Sequence, residues 1–308
     1  MSLDPEYLIY LKRREGMDHD FYPYSNFFTR PKTQWANGEK LLIWPVVSLE
    51  YFPMVPSDDP FRAPGHMQTA YPDYRHYTAR EYGTRIGIYR LLDAFEKCGI
   101  TISIAMNAAV AERYPELAGD IISAGHEIIA HSVDMNGTIA GGMDEEVERR
   151  LIIHSFDTIE KATGQRPRGW LSIARSQSFN TPWLLVEAGA KYMCDWGNDE
   201  VPNRFDTQSG PTTNIPLNHE LSDRQIINVQ QHSIDSFAEQ IRDGSDWLLT
   251  EAGEHGGRLL LLQLTPYISG LPFRIGVLER LIADLSANPD IRFATGASLL
   301  KQWESSCS

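Results

Sequence analysis

The 308-residue chain is poor in the features that would tie it to a membrane, a nucleic acid or an oxidising compartment. Its three cysteines, Cys98, Cys194 and Cys307, are odd in number and form no CxxC pair, which suits a reducing cytoplasm. No segment approaches the ~18 apolar residues of a membrane span, and residues 1–21 lack the unbroken apolar stretch of a signal peptide. Basic residues are outnumbered, 28 against 41 acidic ones, for a net charge of −13. Nucleic acids and anionic membranes ask for clustered Lys and Arg, so both are excluded as partners. Missing too are a GxSxG elbow, a GxxxxGK(S/T) phosphate loop, an HExxH helix and a GxGxxG turn after a strand. Serine esterases, P-loop NTPases and simple Rossmann dehydrogenases fall with them. The expectation these absences leave is a cytoplasmic protein. Its length lets it bury ~75% of its unfolded surface without disulfides or a structural metal.

What is present is an alternation of apolar runs and helical patterns. Residues 1–40 are polar, aromatic and without sustained period, and read as an arm lying across the body or a partner subunit. Residues 41–308 read as one domain. Strands are expected at Leu41–Leu49, Thr101–Met106, Glu127–Ala130, Gly169–Leu171, Lys191–Cys194, Ile226–Val229, Leu259–Leu264 and Ile291–Ala294. Helices are expected at Glu81–Lys97, Asp144–Thr163, Thr181–Ala188, Ile234–Glu251 and Arg274–Ser286. Within the second of these, Val147, Leu151, Ile152, Phe156 and Ile159 share one face at helical spacing. Gly99 and Gly164 stand where a helix C-cap wants positive φ. Runs such as LLIWPVVSL and LLLLQLTPYI are apolar on both faces, as strands covered on both sides must be. Repeated strand-then-helix order implies an α/β fold with a parallel sheet. The Pro-rich, Tyr-rich loop 53–80 reads as a lid or an assembly element, and with the arm it suggests a homo-oligomer, with a tetramer as the expected form.

The ends of these strands collect groups that can do chemistry, and in parallel α/β sheets that is where sites form. The run GHEIIAHSVDMNG delivers His131 from an apolar strand into a polar loop holding Asp134. Glu50 closes the first strand. Arg175 follows GWLSIA, Asp195 and Trp196 follow YMC, and Gln263, Thr265 and Tyr267 end the last long apolar run. A base, a guanidinium and aromatic walls are what amide hydrolysis needs. Each group also has a structural alternative. Glu50 can cap a turn, His131 can be a satisfied core histidine, and Asp134 can close an Asx turn. Arg175 can sit in an ion pair, and Asp195-Trp196 and Tyr267 can be loop packing. His66, His76, His154, His232 and His255 have no partner at ligand spacing.

In these residues the chain resembles the polysaccharide deacetylase (NodB-homology) family, specifically its cytoplasmic branch of metal-independent allantoinases and cyclic imidases. The resemblance runs over about residues 24–303 and rests on an ordered series of segments. These include YSNFFTRPKTQWANGEKLLIWPVVSLEYF, GHEIIAHS, ATGQRPRGWLSIARSQSFNTPWLL, KYMCDWGNDEVP, PLNHELSD and LTPYISGLPFRIGVL. It implies a distorted (β/α)7-type barrel and hydrolysis of a non-peptide C–N bond. Where the family has an Asp-Asp pair, only Glu50 offers a carboxylate here. His131-Ser132 matches the second motif, but Met135 replaces its second histidine. Arg175 and Asp195-Trp196 match later motifs, and Thr265 stands where the last motif has histidine. The expectation is therefore a hydrolase opening a small cyclic amide, imide or ureide without a tightly bound metal. Glu50, His131, Asp134 and Arg175 would be catalytic, and Asp195, Trp196, Gln263, Thr265 and Tyr267 would contact substrate. A weakly held divalent ion at Glu50, His131 and Asp134 stays open, as do two alternatives: a metal-dependent amino-sugar deacetylase and a non-catalytic binding protein.

Overall fold

The computed structural model describes residues 17–55 and 74–306. The start of the arm, most of the 53–80 loop with His66, and Cys307 lie outside the described residues. The described chain opens with β1 (Leu41–Leu49), then α1 (Tyr74–Tyr82), a π-helical turn (Gly83–Gly87) and α2 (Ile88–Glu96). Next come β2 (Ser103–Met106), α3 (Ala108–Arg113), α4 (Pro115–Ser123), β3 (Glu127–Ala130), α5 (Glu145–Thr163) and β4 (Gly169–Trp170). A short 3-10 turn (Ile173–Arg175), α6 (Thr181–Glu187), β5 (Tyr192–Met193) and the hairpin β6 (Asn203–Thr207)–β7 (Gly210–Asn214) follow. The rest is a π-helical segment (Arg224–Val229), α7 (Ile234–His255), β8 (Arg258–Leu264), α8 (Pro266–Ser269), α9 (Ile275–Ser286), β9 (Ile291–Phe293) and α10 (Gly296–Ser306).

The strands form one sheet in the order β6-β7-β5-β4-β3-β2-β1-β8, with β9 also on β1. All pairings are parallel except the β6–β7 hairpin. The sheet curls into a half-barrel, the expected distorted barrel left open, since among the described residues no pairing joins β6 to β8. Pro45 sits inside the central strand without breaking it. On one edge β1 pairs with β9 up to Ile43 and with β2 from Val46 onward, so the residue without an N–H falls at that handover.

Strand alternation divides the core in two. Leu41, Ile43, Val47 and Leu49 face outward to the helices, with Ile104, Ala130, Phe156 and Leu262 in the same cluster. Leu42, Trp44, Val46, Ala105, Ile129, Tyr192 and Leu261 fill the inside. Extending the inner row of β1 by the same period brings Ser48 and then Glu50 to its C-terminal end. In α5, Asp144 caps the first turn through Val147 N (3.1 Å), and Gly164 ends the helix at φ +73°.

Three expectations are corrected. Ile226–Val229 is not a strand: Arg224–Val229 is π-helical. Residues 74–80 of the supposed loop begin a helix. On α5 the chain buries Glu148, bound to Ser178 and Thr181, whereas Val147 is exposed. Residues 17–40 of the arm pack on their own body: Trp35 Nε1 donates to Arg258 O (3.1 Å) and Asp206 N donates to Phe21 O (2.8 Å).

Candidate active site

The C-terminal end of the half-barrel holds a cavity of about 80 Å³. Strand ends supply Ser48, Glu50, His131, Leu171 and Gln263; loops supply Met135, Ser172 and His219, the 3-10 turn Ala174 and Arg175, and the π-helical segment Arg224. His131 arrives by the ladder: its N–H donates to Met106 O (3.0 Å) and its carbonyl accepts from the Asn107 side chain. Ser132 then turns the chain at φ +62°. The ring is 3% exposed, and its Nδ1 lies 2.6 Å from Leu171 O. A carbonyl only accepts, so Nδ1 carries the proton and Nε2 is left with a free lone pair. Burial lowers the pKa of His131; the nearby Glu50 opposes that shift and Arg224 adds to it.

Glu50 is fully engaged. Its Oε1 accepts from Arg224 Nη2 (2.6 Å) and its Oε2 from the Tyr267 hydroxyl (2.9 Å). Burial works against charge on Arg224, but Glu50, Tyr267 and Asp223 more than offset it, so its proton is held above the ordinary range. Asp223 fixes the next turn, accepting from Thr265 N (2.6 Å), Thr265 Oγ1 (3.0 Å) and Ser269 Oγ (2.7 Å). Burial pushes its carboxyl up to about 6. Tyr267 reaches Glu50 because Gly83 and Gly87 let α8 come against the π-helical turn. A β-carbon at Gly87 would run into Pro266 O.

Arg175 sits in a tight turn at φ +56°, after Ala174 at +55°. Beneath it, Asp195 accepts from Ser172 N (2.7 Å), Ser172 Oγ (2.8 Å) and Gln177 Nε2 (2.7 Å). Burial raises the Asp195 pKa to about 6. The guanidinium of Arg175 is half-buried and has no carboxylate at ion-pair distance among the described residues; burial lowers its pKa. A second group in the cavity lacks a partner among the described residues, the buried Gln263 Oε1.

Of the residues expected from sequence, Glu50, His131, Arg175 and Gln263 meet in the cavity. The others do not line it. Asp134 Oδ1 accepts from Asn136 N (2.8 Å), closing the Asx turn that was its alternative reading. Asp195 and Thr265 are engaged in hydrogen bonds to neighbouring loop groups. Trp196 packs edge-on against His19, Phe21 and Tyr22 of the arm. Tyr267 donates its hydroxyl to Glu50. Sequence reading missed Arg224 and His219. Their only local sign is the polar run NHELSDR between apolar stretches.

The donor set does not fit a metal at Glu50, His131 and Asp134. Both oxygens of Glu50 are taken, Asp134 lies off the cavity, and Met135 stands four residues after His131. Among the described residues no three of His, Cys, Asp and Glu converge.

Residues 81–193 match the family model for polysaccharide deacetylase. A Schizosaccharomyces pombe protein assigned to the polysaccharide deacetylases is 24% identical over 241 residues, 72% of this chain and 74% of that one. The peptidoglycan deacetylase of Helicobacter pylori is 30% identical over 111 residues, 36% of this chain and 37% of that one. Among solved structures, Puue allantoinase superposes with a TM-score of 0.81 at 24% identity, covering 92% of this chain and 98% of its own. A probable polysaccharide deacetylase from Pseudomonas aeruginosa gives the same TM-score, 0.81, at 24% identity and the same coverage. The fold is thus that of the carbohydrate deacetylases and their allantoinase-like relatives. Over residues 81–193 the chain is similar to polysaccharide deacetylases, as it is to the curated relatives that carry that name. Among the described residues no helix is long and apolar enough to cross a membrane.

Proposed function

We propose that the chain hydrolyses a small cyclic amide, imide or ureide, opening its ring, with His131 as the base. The observation that carries the reading is the commitment of His131 Nδ1 to Leu171 O, which leaves Nε2 without a partner among the described residues, in the cavity that Arg175 also lines. Nε2 takes a proton from water as the water oxygen bonds to the carbonyl carbon. The electron pair of the C=O bond moves onto oxygen, opposite the Arg175 guanidinium. The C=O then re-forms, the C–N bond breaks, and His131 returns its proton to the nitrogen. The new carboxylic acid loses its proton to solvent, and the carboxylate stays beside Arg175. Gln263 Oε1, a buried acceptor without a partner among the described residues, suits a ring N–H of the kind imides and ureides carry. Glu50, held by Arg224 and Tyr267, keeps the floor of the cavity near neutral rather than attacking. The likeness in fold to a protein named as an allantoinase supports the same reading.

The names of the curated relatives favour a second reading, removal of an acetyl group from an amino sugar by the same step. Purified protein should be offered five- and six-membered cyclic imides and ureides alongside N-acetylated sugars, and followed by pH-stat. Turnover of the ring compounds alone supports ring opening; turnover of the sugars alone replaces it with deacetylation. Saturable binding without turnover of any of them would favour a non-catalytic role.

A further inference from the structure

The cavity holds two imidazoles, and only His131 has been given a task. His219 lies in the segment between β7 and the π-helical segment, where Ser222 N donates to its carbonyl (3.0 Å). Its Nδ1 lies 3.4 Å from Ser222 Oγ. That hydroxyl is 1% exposed and already accepts from Gln225 N (3.1 Å). Its own proton needs an acceptor, and a buried hydroxyl proton left unpaired is costly. His219 Nδ1 is the acceptor at hand. Nδ1 is then unprotonated, and Nε2 carries the ring's proton. His131 has the opposite arrangement, with its proton on Nδ1 and its lone pair on Nε2.

We infer that the two rings form a complementary pair on one substrate: His131 Nε2 accepts the water proton, and His219 Nε2–H donates a hydrogen bond to the carbonyl oxygen under attack. This rests on the hydrolytic reading above and adds a second electrophilic contact beside Arg175. His219 transfers no proton; it stays neutral and polarises the carbonyl, so no proton is added to the balance already given. Its surroundings keep it neutral. Burial lowers its pKa, Arg175 and Arg224 lower it further, and Glu220 and a hydrogen bond with Gln225 oppose them. Gln225 competes with a substrate for the His219 N–H, and other lining groups are committed as well. Ser172 Oγ donates to Asp195, and Arg224 is bound to Glu50. Thr265, where the resemblance puts a histidine, is bound to Asp223.

The first test needs no substrate. Nitrogen-15 NMR of histidine-labelled protein, with resonances assigned by His131→Gln and His219→Gln, reads which ring nitrogen bears hydrogen at neutral pH. Nε2–H on His219 and Nδ1–H on His131 are expected; Nδ1–H on His219 overturns the pairing. The second test is kinetic. His219→Ala should lower kcat on a ring substrate by ~10²–10³ with a smaller change in KM, the usual loss for one oxyanion donor. His219→Gln, which keeps an N–H donor, should recover at least ~10-fold of that loss, and neither variant should move the acid limb of the pH profile. A rate for His219→Ala within about threefold of the parent makes His219 a bystander. A glutamine variant as slow as alanine, with the alkaline limb changed, makes it a proton donor instead; either result overturns the inference. If the parent turns over no ring compound, the proposed reaction fails, while the tautomer pairing still stands or falls on the NMR.

Discussion

The two ends of the half-barrel interior are built from the same alternating strand faces, yet they are finished in opposite ways. At the N-terminal end, Glu127 at the start of β3 accepts from Ser103 Oγ (2.6 Å), Tyr192 OH (2.8 Å) and Ala297 N (3.1 Å). Ser103 Oγ in turn accepts from Trp44 Nε1 (2.8 Å) and Gly296 N (3.0 Å). The carboxylate thus closes onto the first turn of α10, where the helix dipole favours negative charge. Burial raises the Glu127 pKa, but each of its oxygens has partners. At the C-terminal end Glu50 and Arg224 satisfy each other, while Arg175, Gln263 Oε1 and His131 Nε2 face a cavity unmatched by any described residue. Buried charge alone therefore does not mark the site. Unmatched polar groups around an opening do.

This contrast can be broken from either end. The largest effect is expected at His131. His131→Ala should reduce kcat/KM on a ring substrate by ~10³, with a thermal midpoint shifted by only a few degrees. Steady-state kinetics with a melting curve on the same sample checks both. Arg224→Met leaves Glu50 buried without its counter-charge, and should cost ~3–5 kcal/mol in urea unfolding. Adding Glu50→Gln should recover much of that stability but not the rate, and a double-mutant cycle measures the recovery. At the closed end, Glu127→Gln trades an acceptor of several hydrogen bonds for a group that accepts with one oxygen only. It should cost about 1–3 kcal/mol and leave kcat unchanged, which separates the structural carboxylate from the catalytic end.

The pH dependence sharpens the same comparison. As the proposed base, His131 must be neutral, and its pKa is lowered from 6.5, so the acid limb of kcat/KM should have its midpoint below 6.5. A group whose folded pKa is lowered binds fewer protons in the native state, so its contribution to stability is present above pH 6.5 and lost as pH falls through the folded value. Asp195 and Asp223 have the opposite sign: raised to about 6, they favour the folded state more when protonated, so their contribution weakens as pH rises from 3.8 towards 6. The smallest expected effect is a null one. Met135→His restores the missing histidine, but Glu50 is held by Arg224 and Asp134 by its turn. The dialysed variant should therefore retain no stoichiometric zinc by plasma mass spectrometry.

Much of the fold was legible along the chain. Long runs such as LLIWPVVSL and LLLLQL exceed what a loop tolerates, and their flanking helical periods fix a parallel α/β order. Short apolar runs were less decisive. Ile226–Val229 is too brief for its period to distinguish strand from helix, and it proved π-helical. The hairpin β6–β7, NRFDT and GPTTN, carries almost no apolar alternation and was not foreseen.

For the site, the sequence by itself determined the groups that strands carry to their ends, Glu50, His131 and Gln263, because a period of two dictates which face each occupies. It also placed Arg175 in the loop after β4. Only the tertiary structure decided how each is used. Arg224 reaches Glu50 across 174 positions of chain, and that contact turns a candidate base into one half of an ion pair. His219 joins the same cavity, while Asp134 and Trp196, close to the site in sequence, are drawn off by an Asx turn and an aromatic cluster. The reason is physical: strand alternation is local and written in the order of residues, whereas the pairing of a buried polar group is settled by whatever donor the rest of the fold brings within about 3 Å of it.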